Sequence, residues 1–305
     1  MQTRVKMTTR VQLAILAMGV GCAGNASAGG APAFSEMIVF GDSTVDSGNL
    51  FIATGGGVGG EPYFDGRFTN GQLWIEVLAN QIGLPAPEPS LAGGTNYAWG
   101  GAASGDNFSV FETPNVGLQI QDFLGDRESL SGDELIIISA GANDILWEPP
   151  VPPARIAANI QQHIEILAAV GGRSFLVAGI APYAQSPGFR GTPAQIRIAR
   201  HTLNANRRVR ENVSLLEQDL EITIYWFDWA GVVNQMLDSP ADFELNNVTE
   251  AACPDCGLGV PQPGAGDTLA PNPENYLWWD IAHFTAGVHQ VLGTAAADLL
   301  EAPAP

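Results

Sequence analysis

Three short polar clusters carry the residue types that acyl transfer needs: Gly41-Asp42-Ser43, Gly141-Ala142-Asn143-Asp144 and Asp280-Ile281-Ala282-His283. Together they supply a hydroxyl, an amide donor, an imidazole and carboxylates. A serine becomes a nucleophile when a base lies within hydrogen-bond reach and a third group orients that base. Asp280 and His283 are three residues apart, so one turn brings the carboxylate to Nδ1 while Nε2 faces outward. Alone, each cluster is a weak signal. Gly-Asp-Ser is a common turn after a strand, and D-x-x-H is more often structural or solvent-facing. Asp42, Asn143 and His283 are also metal-ligand types, which makes a metal-dependent phosphoesterase the rival chemistry. That rival needs more convergent His or Asp residues, and His163, His201 and His289 fall inside helical stretches away from strand ends.

Those clusters need a scaffold. Apolar runs at 37–40, 134–140, 174–180 and 222–227 read as strands buried on both faces, the pattern of a parallel sheet. The first two end at Gly41 and Gly141, which puts the serine and asparagine clusters at strand carboxyl ends. Ligand sites of open α/β sheets lie there. Helical patterns fill the gaps. Residues 72–82 place Leu73, Val77 and Leu78 on one face; residues 154–170 repeat Ile156, Ile160, Ile164 and Leu167 before Gly171-Gly172. Thr192-Pro193 reads as the N-cap and first residue of the next helix. Its apolar face reads as Ile196, Ala199, Leu203, Val209, Val213, Leu216 and Leu220, with Arg197, Arg200, Arg207 and Arg208 on a solvated face. A last helix spans about 286–300. Alternation of this kind predicts right-handed βαβ units in one α/β/α domain. Three segments are irregular: a Gly-rich loop at 55–60 without the Lys-Ser/Thr of a phosphate cradle, a Pro-rich connection at 148–153, and residues 238–275. The last reads as a lid or site rim.

Composition narrows the function classes. The 305 residues hold 13 Lys+Arg against 32 Asp+Glu, a net charge of −19, with Lys6 the one lysine. Phosphate binding needs clustered positive charge, so nucleic acid and anionic lipid surfaces are excluded as electrostatic partners. Residues 1–28 read as a secretory signal peptide: Arg4, Lys6 and Arg10, an apolar run at 11–20, then Ala26-Ser27-Ala28. Lipidation at Cys22 is the alternative, but Gly19 stands where such signals carry leucine. Cleavage after Ala28 leaves residues 29–305 as the mature domain, secreted or periplasmic, without integral membrane association. Cys253 and Cys256, in Cys-Pro-Asp-Cys, then read most simply as a local disulfide, with free thiols, a redox pair or a metal site as alternatives.

Taken in order, the motifs resemble the GDSL, or SGNH, hydrolase family, in its long, plant-like secreted branch. The first block is Val39-Phe40-Gly41-Asp42-Ser43-Thr44-Val45-Asp46-Ser47-Gly48-Asn49, with Thr44 for the eponymous leucine. Gly66-Arg67-Phe68-Thr69-Asn70-Gly71, Asn96-Tyr97-Ala98-Trp99-Gly100-Gly101-Ala102, Gly141-Ala142-Asn143-Asp144 and Asp280-Ile281-Ala282-His283-Phe284-Thr285 follow, with Phe284 in place of proline. The resemblance implies a three-layer fold with a flavodoxin-like parallel sheet. It implies Ser43 as nucleophile, His283 as base and then acid, and Asp280 as the group that holds the imidazole. It also implies an oxyanion hole of Ser43 N–H, Gly101 N–H (chosen over Gly100 from the spacing after Asn96) and the Asn143 amide, with no metal or organic cofactor. The implied substrate is a small ester or lipid, short- to medium-chain acyl esters being favoured. Carbohydrate acetylesterase and phospholipase or acyltransferase activity use the same triad; an inactive binding module is a further alternative. Asp42 and Asp144 read as turn-holding residues, Arg67 and Asn70 as ordering the loop beside the serine, and Asn206 as capping a backbone group. Trp147, Trp278-Trp279, Leu146 and residues 149–153 are candidates to line an acyl or sugar pocket.

Overall fold

The structure, a computed structural model, describes residues 33–147, 149–260 and 266–302. These fall within one unit, Ala31–Pro305; the signal-peptide stretch and Glu148 lie outside the described residues. In chain order the elements are β1 (Met37–Gly41), α1 (Asn49–Ala53), α2 (Trp74–Gln81), α3 (Val116–Asp126), β2 (Leu135–Ser139), α4 (Ala142–Leu146), α5 (Pro153–Ala169) and β3 (Ser174–Ala178). They continue with α6 (Gln195–Leu220), β4 (Thr223–Phe227), α7 (Trp229–Asp238), β5 (Asn247–Ala251), β6 (Tyr276–Trp278) and α8 (Ala286–Glu301).

β1 to β4 form a parallel sheet in that order, with Gly41, Ser139, Ala178 and Phe227 in one transverse row. Their carboxyl ends are therefore level, and the turns that follow emerge side by side. β1 and β2 are buried at every position because helices cover both faces. A fifth parallel segment runs along the outer edge of β1. Val39 N–H donates to Thr95 O, Tyr97 N–H to Val39 O and Trp99 N–H to Gly41 O, at 2.8–3.1 Å. This edge, second in the chain but beside the first strand, gives the flavodoxin-like order 2-1-3-4-5.

α5 packs against α6 and α3, and α2 packs against α8, which also meets α7. The periodicity predicted the α5 stripe: Ile156, Ile160, Ile164 and Leu167 are at most 2% exposed. Burying each such side chain stabilises the fold by about 1.5–3 kcal/mol. α6 departs from the expected register. Its N-cap is Ala194, two residues later than Thr192, whose hydroxyl instead donates to Phe189 O at 2.7 Å. The face that the N-terminal half buries is Ile198, Thr202 and Ala205, while Ile196 and Leu203 are 74% and 72% exposed. Arg197 does not lie on a purely solvated face, since it donates to Ile145 O at 2.6 Å and so grips the last turn of α4. Thr202 and Ala205 carry little apolar signal, which is why larger neighbours one turn off mimic the stripe.

Residues 238–275 contain β5, which pairs in parallel with β6. Cys253 and Cys256 are bonded to each other within this segment. Phe284, where the family pattern has proline, is 1% exposed and stacks on Trp278 with ring centroids 4.6 Å apart. Among the described residues, no helix is long and apolar enough to cross a membrane.

Candidate active site

Ser43 sits on the first turn after β1. Gly41 is required there because a Cβ would collide with the Ser139 carbonyl of the neighbouring strand. Gln119 on α3 brackets Gly41, accepting from its N–H and donating to its carbonyl, both at 2.9 Å. Asp42 closes the turn by accepting from the Thr44 N–H at 3.0 Å and hydroxyl at 2.7 Å. Burial pushes the Asp42 carboxyl up to about 6, against the opposing pull of those bonds and of His283. This is a turn-holding aspartate rather than a second acid. Ser43 itself is 9% exposed.

His283 Nε2 lies 2.9 Å from Ser43 Oγ, and its Nδ1 lies 2.7 Å from Asp280 Oδ2. The loop after β6 sets this geometry, because Asp280 Oδ1 accepts the N–H groups of Ala282 and His283, both at 2.8 Å. Tyr63 adds a fourth bond, its hydroxyl donating to Asp280 Oδ2 at 2.6 Å. Burial alone would raise the Asp280 carboxyl; the adjacent imidazole and these hydrogen bonds outweigh it and hold Asp280 below the ordinary carboxylate range. A carboxylate at Nδ1 draws the ring proton to that nitrogen and leaves Nε2 free to accept from the serine hydroxyl. Phe68 packs on the imidazole at 5.1 Å and limits solvent around it.

The donors beside Ser43 are separable by their bonds. The Gly100 N–H is committed to Asp46 Oδ2 at 2.8 Å. Among the described residues, nothing accepts from the N–H of Gly101 or of Ser43. Gly101 has φ +79°, and a Cβ there would press into Phe111. Asn143, on α4, donates one amide hydrogen to Ala102 O at 2.9 Å and keeps the other. Its Oδ1 accepts from the Trp147 indole at 2.9 Å. Ser43, Gly101 and Asn143 line one cavity, so these three donors are available to a developing oxyanion there.

The floor of a 430 Å³ cavity carries Ser43, Asn143 and His283; Leu50, Val58, Phe111, Leu146, Trp147 and Leu258 are among its walls. Gly257, Leu258 and Val260 form part of that wall, as the rim reading of 238–275 expects. Trp278 and Trp279 do not line it; they are 0% and 2% exposed in the interior. Nor do the described residues of 149–153, since Val151 turns inward and its N–H donates to Asp144 O at 2.7 Å. Asp144 holds Ser104 through its N–H and hydroxyl, both at 2.8 Å. Arg67 pairs with Glu76 at 2.8 Å, Asn70 accepts from the Ala286 N–H at 2.8 Å, and Asn206 brackets the Ile180 backbone. His163 and His289 are buried; burial drives His289 down to about 3. Cys253, Asp255 and Cys256 lie close enough to resemble a metal cluster, but both sulfurs are spent on the disulfide.

Two organising residues carried no signal in the spacing. Asp46 accepts the N–H groups of Gly48, Asn49 and Leu50 at 2.7–3.3 Å, besides that of Gly100. Tyr63 reaches Asp280 across more than two hundred residues of chain.

The phosphatidylcholine-sterol acyltransferase of Aeromonas hydrophila is 26% identical, covering 88% of this chain and 91% of its own. A GDSL esterase/lipase of Arabidopsis thaliana is 24% identical, covering 82% and 84%. Among solved structures, a carbohydrate acetylesterase from Sinorhizobium meliloti covers 86% of this chain and 96% of its own at 15% identity, with TM-score 0.47. The native aryl esterase of M. smegmatis covers the same shares at 17% identity and TM-score 0.47. The model of the GDSL-like Lipase/Acylhydrolase family matches residues 37–296, and the chain belongs to that family.

Proposed function

We propose that this carboxylic ester hydrolase works through an acyl-enzyme on Ser43 and takes short- to medium-chain acyl esters or lipids. The observation that carries the reading is the relay Ser43–His283–Asp280, at 2.9 and 2.7 Å, on the floor of an apolar cavity. Ser43 Oγ attacks the ester carbonyl carbon as its proton passes to His283 Nε2. The carbonyl electron pair moves onto oxygen, where the N–H groups of Ser43 and Gly101 and the Asn143 amide receive it. Each such donor accounts for about 3–4 kcal/mol of transition-state stabilisation. Collapse of the tetrahedral intermediate breaks the bond to the alcohol, which takes the proton from His283. Water then repeats the sequence on the acyl-enzyme, with His283 as base again, and releases the acid.

A cavity of 430 Å³ lies at the lower end of the range for small-molecule sites, which suits a modest acyl chain more than a whole phospholipid. Its aliphatic and aromatic walls favour an acyl chain over a sugar. Transfer of the acyl group to an alcohol would use the same residues, and the similarity to the acyltransferase of Aeromonas hydrophila supports that second reading. We further propose that residues 1–28 direct export, which accords with a Cys253–Cys256 disulfide in an oxidising compartment.

The test is hydrolysis of p-nitrophenyl esters from acetate to palmitate, wild type beside Ser43→Ala. Activity that peaks at one chain length and is lost in the variant is expected. Activity that survives Ser43→Ala removes the serine mechanism.

A further inference from the structure

We propose that Trp147 is a positioning residue whose indole N–H fixes the Asn143 amide as an oxyanion donor, coupling the wall of the acyl cavity to the rate of acyl transfer. This rests on the serine mechanism proposed above. An asparagine amide has two ends of nearly equal shape, one a donor and one an acceptor. Which end faces the reacting carbonyl decides whether Asn143 stabilises or repels the oxyanion.

Two bonds decide it here. Indole Nε1 can only donate, and it donates to Asn143 Oδ1 at 2.9 Å. The Ala102 carbonyl can only accept, and it takes one Nδ2 hydrogen at 2.9 Å. The amide is thereby oriented, and its second Nδ2 hydrogen is left beside the cavity that Asn143 lines. Donation into Oδ1 also polarises the amide and makes that remaining N–H a stronger donor. Asn143 lies in the first turn of α4 and Trp147 is the extended C-cap that ends it, four residues on, so the indole meets the amide beside this one short helix.

The indole is itself held. Phe111 meets it edge-on at 5.2 Å, Phe189 does so at 6.0 Å, and the Arg197 bond to Ile145 O secures the helix end just before it. The same ring is cavity wall, so an acyl chain that fills the cavity presses on the residue that orients the amide. Trp147 touches the acyl chain in this reading, but its rate effect passes through Asn143.

Trp147→Phe keeps a ring in the wall and deletes the N–H. The expected result is kcat about tenfold lower with KM changed less than about twofold, on acetate and octanoate esters alike. The decisive readout is a double-mutant cycle with Asn143→Ala. In the Asn143→Ala background, Trp147→Phe is expected to change kcat less than about twofold, because there is no amide left to orient. An equal loss in both backgrounds, or a loss confined to KM for long chains, assigns Trp147 to the wall alone and overturns the proposal. Ser43→Ala is assayed alongside: residual activity there sinks the serine mechanism, whatever Trp147 does. Should Trp147→Phe fail to fold, the indole N–H resonance of Trp147 carries the test. It must shift in Asn143→Ala relative to wild type, and an unshifted resonance overturns the proposal.

Discussion

The Tyr63 hydroxyl donates to Asp280 Oδ2 at 2.6 Å, on the same oxygen that lies 2.7 Å from His283 Nδ1. The Tyr63 oxygen in turn accepts from the Gly259 N–H at 2.8 Å, beside the segment that the Cys253–Cys256 disulfide closes. Asp280 is thus oriented from two sides: its own loop through Oδ1, and a distant segment through Oδ2. Tyr63 is 3% exposed, and burial beside Asp280 pushes its hydroxyl far above the ordinary tyrosine range, so it stays a donor at any working pH.

Tyr63→Phe should therefore lower kcat/KM by roughly tenfold, since the carboxylate loses one of the bonds that aim it. It should also cost about 1–2 kcal/mol of stability, because the Gly259 N–H loses its acceptor in a buried place. Steady-state kinetics and urea unfolding measure the two effects. Kinetics within twofold of wild type would show that the loop bonds to Oδ1 suffice.

Asp280→Asn tests the role of the charge. The amide keeps the size of the carboxylate but cannot stabilise an imidazolium, and it favours the wrong ring tautomer. A loss of about 10⁴ in kcat is expected, with a folded, wild-type-like circular dichroism spectrum. A loss below about tenfold would mean that His283 does not depend on the Asp280 charge.

The strands and the chemistry-bearing clusters were legible because their signals are local. Continuous apolar runs ending in glycine located β1 and β2, and the order of the polar clusters located Ser43, Asn143 and His283. What stayed hidden depends on distant partners. The edge segment at 95–99 pairs with β1 through backbone groups, and its side chains alternate no better than a loop's. Asp46 and Tyr63 act through bonds to Gly100 and Asp280, at separations that no periodicity reports. On α6, burial of Thr202 and Ala205 rather than Leu203 follows from close packing against α5, where small residues fit.

The cavity walls predict a chain-length rule. Each methylene that leaves water should improve kcat/KM by about 0.8 kcal/mol, roughly fourfold, until the 430 Å³ are filled. Val58 is a wall residue on an exposed loop, so Val58→Phe shortens the space with little risk to the core. The optimum should move to shorter esters, with acetate turnover within about twofold of wild type. An unmoved optimum would place the acyl chain elsewhere.

Asp42 makes a prediction about stability and pH. Its carboxyl is raised from 3.8 to about 6 by burial, so the folded protein binds a proton between about pH 4 and pH 6 that the unfolded chain has already released. Stability from this group is therefore full below about pH 4, falls as pH rises to about 6, and is flat beyond. Asp46, also raised to about 6, acts with the same sign, whereas the lowered Asp280 acts with the opposite sign at lower pH. Asp42→Asn removes only the first contribution, and its amide oxygen can still accept from Thr44. The variant should gain on wild type by about 2 kcal/mol between pH 4 and pH 7, a relative Tm rise of roughly 4–8 °C. Thermal unfolding of both proteins at pH 4, 5, 6 and 7 measures it. A Tm difference that stays constant across that series would show that Asp42 keeps an ordinary carboxylate pKa in the folded protein.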